Sequence, residues 1–120
     1  MGDIAEVMLI YDEYGIPCYT IKIKNFKRKM KTWSVGQYIN SQRFTNNGVI
    51  FYLSIYPNGQ KADYAGNVSV VLINASSDPI FVDYELKLLS KTVAYVGQMM
   101  NPKGGFQKRL KLYCSLIFLD

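Results

Sequence analysis

Three groups of residues in this 120-residue chain could do chemistry. Asp12 and Glu13 are adjacent carboxylates, the residue type a hydrolase uses for general acid and base work. They stand in Tyr11-Asp12-Glu13-Tyr14-Gly15-Ile16-Pro17, whose composition is that of a turn between two strands, and acidic pairs in turns are ordinarily solvated. Hydrolysis is therefore the least supported of the function classes. Cys18 and Cys114 are the two thiols, too few for a disulfide scaffold and without the close spacing of a zinc site. Each falls in a predicted strand, so they read as free thiols with Cys114 buried, and a bridge between them would need those strands to pair. The third group is basic. Six of the fourteen basic residues, Lys22, Lys24, Lys27, Arg28, Lys29 and Lys31, gather in one stretch that could hold phosphate, acidic lipid or nucleic acid, or serve as a nuclear address. No aromatic residues interleave with them as a base-stacking platform requires, so a solvated strand face running into a surface loop is preferred and nucleic acid is disfavoured as a partner.

What is missing narrows the field further. There is no histidine, the side chain that most often moves protons near neutral pH and most often ligates metals, and nothing calls for a cofactor. The net charge of +5 is moderate. By length the chain is one domain over residues 1–120, and 49% hydrophobic with ten tyrosines and six phenylalanines it has the composition of a globular protein built on pleated surfaces. Met1-Gly2-Asp3-Ile4-Ala5-Glu6 has no basic segment before its short apolar run, as a signal peptide would, and no run is long enough to span a bilayer. An intracellular location, cytoplasmic or nuclear, is the expectation.

The elements that must position these residues are strands. Val49 to Gly59 is the organising stretch: Phe51, Leu53 and Ile55 fall on one side, Tyr52, Ser54 and Tyr56 on the other, and Pro57-Asn58-Gly59 ends the ladder in a tight turn. Before it, Glu6 to Ile10 is a first short strand, and Cys18 to Lys24 sets Tyr19, Ile21 and Ile23 inward against Thr20, Lys22 and Lys24. Trp33 to Ser41 reads as a third strand with Trp33, Val35 and Ile39 inward, followed by Asn47-Gly48, the strongest hairpin signal in the chain. After an exposed connection from Gln60 to Gly66, Asn67 to Ile73 is apolar on both faces, which predicts a central strand between covering layers. Ile80 to Leu88 alternates Val82, Tyr84, Leu86 and Leu88 with Asp83, Glu85 and Lys87. Lys91 to Gln98 is a weaker strand, and Arg109 to Leu119 puts Leu110, Leu112, Cys114, Leu116 and Phe118 on one side. About eight strands with no amphipathic helix of ordinary length predict an all-β sandwich or barrel.

Four of these stretches together resemble a known family. Tyr19-Thr20-Ile21-Lys22-Ile23-Lys24-Asn25-Phe26, Ser41-Gln42-Arg43-Phe44, Phe51 to Gly59 with its Tyr-Pro-Asn-Gly ending, and Val68-Ser69-Val70-Val71-Leu72 look like a MATH domain, the meprin and TRAF homology domain. The similarity covers Tyr19 to Leu119 and is nearest to the branch of the speckle-type POZ protein. It implies an eight-stranded antiparallel β-sandwich that binds a short extended peptide in a shallow groove on one sheet. Such domains recruit substrates to cullin-type ubiquitin ligases or receptors to signalling adaptors, and no catalysis is involved. Carried over, the groove residues are Val71, Tyr84, Tyr95 and Phe106, with Lys103 and Gly104 standing where the branch has an acid and a tryptophan. The implied partner is a short linear motif of another protein, read by main-chain pairing and by pockets for alternate side chains.

Overall fold

Period-two burial runs through most of the chain. The computed structural model describes residues 4–76, 80–88, 93–100 and 108–119. Among these the strands are β1 (Ile4–Ala5), β2 (Val7–Tyr11), β3 (Pro17–Ile23), β4 (Ile39–Ser41), β5 (Phe44–Asn46), β6 (Val49–Tyr56), β7 (Ser69–Asn74), β8 (Ile80–Leu88), β9 (Val93–Met100) and β10 (Lys108–Phe118), with one helix, α1 (Phe26–Thr32). They form two five-stranded sheets. In the first, β6 is the spine, flanked on one edge by β4 and β5 in succession and on the other by β7, with β1 beyond β4. The second runs β2-β3-β10-β8-β9.

The core lies between the sheets and consists of the residues the alternation selects: Tyr19, Ile21 and Ile23 of β3, Phe51, Leu53 and Ile55 of β6, Val82 and Leu86 of β8, and Leu110, Leu112, Cys114 and Leu116 of β10. The Asn47-Gly48 hairpin forms as predicted. Asn46 pairs with Val49, and the two turn residues take φ of 51° and 79°, the positive values a two-residue hairpin turn requires.

Several expectations are corrected. The sandwich is mixed rather than wholly antiparallel, because β1·β4, β3·β10 and β8·β10 are parallel pairs. For the last of these the reason is simple: β9 returns antiparallel along β8, so β10 on the far side of β8 runs in the direction of β8. The basic stretch expected to be a loop is helical from Phe26 to Thr32. Phe26 anchors it, buried and stacked on Phe118 with ring centroids 3.7 Å apart and planes 3° from parallel. Trp33 to Val35 is not strand, and only Ile39–Ser41 of that predicted element pairs, because Ser34 and Gln37 close a turn around Gly36 (φ 89°). Finally, β7 is an edge strand rather than a central one among the described residues; β6 is its one partner there.

Candidate binding surfaces

The groove residues implied by resemblance separate in the fold. Tyr84 sits in β8 and packs, half-buried, against the core beside Leu53, Val70, Leu72, Leu86 and Cys114 around a void of about 10 Å³. A void of that size holds at most one water, so on this side Tyr84 contributes packing rather than a ligand pocket. Val71 lies in β7 opposite Ser54 of β6, which puts it on the outer face of the first sheet, away from Val70 and Leu72. Tyr95 stands in β9 opposite Leu86. Lys103, Gly104 and Phe106 lie outside the described residues.

Of these positions, Val71 lies on β7 and Tyr84 on β8, in facing sheets, and Tyr95 lies on β9 beyond β8. Val70 and Leu72 of β7 face β8 and β10 across the core, while the second sheet continues one strand further, to β9. Among the described residues nothing pairs with the far side of β7, which makes it a sheet edge there.

The alternation that buries Phe51, Leu53 and Ile55 also builds an aromatic outer face on the first sheet that was not singled out as a site. Tyr56 packs against Tyr38 with ring centroids 5.4 Å apart, and the Arg43 guanidinium lies 5.7 Å from the Tyr52 ring centre. Between them the Ser54 hydroxyl donates to the Asn40 side-chain oxygen at 2.6 Å. Tyr52 and Tyr56 were legible as the outward row; Tyr38 and Arg43 come from other segments and carry no local signal.

The basic group divides. Lys22 of β3, Lys24 just beyond it and Lys29 of α1 line a cleft of about 430 Å³ together with Glu6, Met8 and Ile39, whereas Lys27, Arg28 and Lys31 do not. Lys29 is held in place, its ammonium donating to the Lys24 carbonyl at 2.7 Å. The carboxylates at the β2–β3 turn are occupied structurally at Asp12, whose Oδ1 accepts from the Tyr14 and Ile16 backbone N–H groups at 2.8 and 2.9 Å.

Both cysteines are free, and Cys114 is buried in the core. Cys18 faces the other way, its Sγ 3.1 Å from the Ser115 hydroxyl on the outer side of the sheet, so the two thiols sit on opposite faces and cannot bridge without a rearrangement of β3 or β10. Burial, with a smaller contribution from Cys18, pushes the Cys114 thiol from 9.0 up to about 12. The folded state therefore resists deprotonation there; this contribution to stability is intact below about pH 9 and is lost as the pH rises towards 12. In the native protein at pH 8, Cys114 is expected to resist iodoacetamide, and peptide mapping should find it alkylated only after guanidinium unfolding.

Two sheets thus pack on one another, a Tyr-Pro-Asn-Gly turn closes the spine strand, and β7 lies at an edge among the described residues. The family model of the MATH domain matches residues 18–113. The chain belongs to the MATH domain family. No curated protein and no solved structure matches significantly. MATH domains are protein-interaction modules rather than enzymes. No helix among the described residues is long and apolar enough to cross a membrane.

Proposed function

We propose that this MATH domain is a non-catalytic recognition module that docks a short extended segment of a protein partner along the edge of β7 with which no described residue pairs. Its family membership over residues 18–113 carries the proposal. The edge position of β7 supports it: an added strand would gain main-chain hydrogen bonds there, with alternate side chains directed towards Tyr84 and β9 on one side and beside Val71 on the other. The role this suggests, as in the speckle-type POZ branch, is recruiting substrates to a ubiquitin ligase or holding receptors on an adaptor, inside the cell. A peptide-array screen repeated with Tyr84→Leu, which keeps an apolar side chain at the core but removes the ring and its hydroxyl, tests it. Binding of the selected peptides is expected to weaken about tenfold while the melting temperature stays close to that of the parent. Loss of stability in proportion to loss of binding would make Tyr84 a core residue only and remove it from the site.

A further inference from the structure

The cleft beside α1 combines charge with an apolar floor, and it shares no lining residue with the Tyr84 void at the other sheet edge. Among the described residues of the lining, three lysines, Lys22, Lys24 and Lys29, stand against one acid, Glu6, a net charge of about +2. The bond from Lys29 to the Lys24 carbonyl fixes one ammonium on the rim instead of letting it sweep through solvent. Ile23 and Ile39, both part of the core, form the floor, and the opposite wall is Ile4 and Met8, 67% and 41% exposed. Beyond Met8, Leu9 and Ile10 are also exposed on β2, which is an edge strand. Apolar exposure of this kind next to fixed cations selects a ligand that carries both an anion and an aliphatic group. Nucleic acid fits poorly, because the described lining has neither an aromatic ring to stack a base nor an arginine to grip a phosphate. A bilayer surface fits poorly as well, since a recessed cleft admits a side chain more readily than a membrane.

We propose that this cleft docks an acidic, leucine-bearing peptide segment of a protein partner, with its carboxylates on Lys22, Lys24 and Lys29 and its aliphatic side chain against Met8, Ile23 and Ile39. It is a second site, and it stands or falls separately from docking on β7.

Fluorescence anisotropy on the full chain tests it with a labelled Glu-Asp-Leu-Glu-Asp peptide, its Lys-for-acid counterpart, phosphatidylcholine–phosphatidylserine vesicles and a single-stranded oligouridine. The acidic peptide alone is expected to bind. Lys22→Glu combined with Lys24→Glu should weaken it at least about tenfold, Lys29→Gln should weaken it several-fold, and Lys61→Glu, which does not line the cleft, should leave it unchanged. Circular dichroism verifies the fold, and if the double variant fails to fold, Lys29→Gln decides. Absence of acidic-peptide binding, indifference to these lysines, or tighter capture of vesicles or oligouridine through the same lysines would overturn the proposal.

Discussion

Phe51→Ala is expected to lose about 3–5 kcal/mol of folding free energy, the largest single loss available on β6 by truncation. Phe51 is fully buried, lies between the sheets and faces Phe44 with ring centroids 6.0 Å apart. Its strand is also the one the first sheet depends on: β4 and β5 pair along one edge, β7 along the other, and the Leu53 N–H reaches the buried Ser41 hydroxyl at 2.9 Å. An alanine at 51 leaves a cavity that three neighbouring strands would have to close together, and a backbone hydrogen-bonded on both edges moves little. Against a total stability of about 5–15 kcal/mol this loss is large, and it should lower the melting temperature by about 10–25 °C. Tyr52→Ala, one residue along on the outer face, forfeits half-buried packing and one Arg43 cation–π contact, so a loss of only about 1 kcal/mol is expected. Urea unfolding of the two variants side by side measures the contrast. Equal losses would mean that the outer face of the first sheet is as tightly covered as its inner face.

That contrast also shows which parts of the molecule the sequence makes legible. A strand with one dry face writes its burial into every second residue, so the inward rows of β3, β6, β8 and β10 could be read directly, and Asn47-Gly48 specified its turn through the φ values it tolerates. Long-range contacts leave no such record. Helix α1 is seven residues long with one buried apolar residue, too short for a 3.6-residue period, and what holds it is a ring stacked on Phe118 and an amide bonded to the Leu119 carbonyl at 2.8 Å. Thr20 and Ser54 were expected opposite the inward rows and are buried, because small polar residues in the middle of a sheet are overshadowed by larger neighbours on adjacent strands. Apolar residues on both faces of β7 suggested a central strand; at this edge they leave Val71 and Ile73 half-buried on the outer face instead. The candidate sites followed the same rule. Positions along β7 and β8 were nameable, whereas the lysine cleft joins β1, β2, β3, α1 and β4 and could be assembled only by the fold.

Gly59→Ala is expected to be costly for a reason that explains why Tyr56-Pro57-Asn58-Gly59 is so telling a stretch. Gly59 has φ of +91°, a conformation that an L side chain adopts only under strain of about 1–2 kcal/mol. An added Cβ would also meet backbone: it would overlap the Tyr64 carbonyl oxygen and lie 2.7 Å from the carbonyl carbon, with the Ala65 nitrogen at 3.2 Å. These atoms cannot swing aside, because the loop is tied at several points. The Asn58 amide donates to the Trp33 carbonyl at 3.1 Å while its oxygen accepts from the Gly66 N–H at 2.8 Å, and the Gly59 carbonyl accepts from the Gly36 N–H at 2.9 Å. Pro57, fully buried, sets the chain on its way into this turn. Strain and overlap together should lower stability by about 2–5 kcal/mol. Gly66→Ala separates the two effects, since Gly66 has φ of +83° but open space where its Cβ would stand, and it should cost only about 1–2 kcal/mol. If chemical denaturation gave the two alanine variants equal stability, the close approach at Tyr64 would carry no energetic weight. The Pro-Asn-Gly turn would then be required for its backbone dihedrals alone, not as the clamp that holds the 33–36 and 60–66 segments to the end of β6.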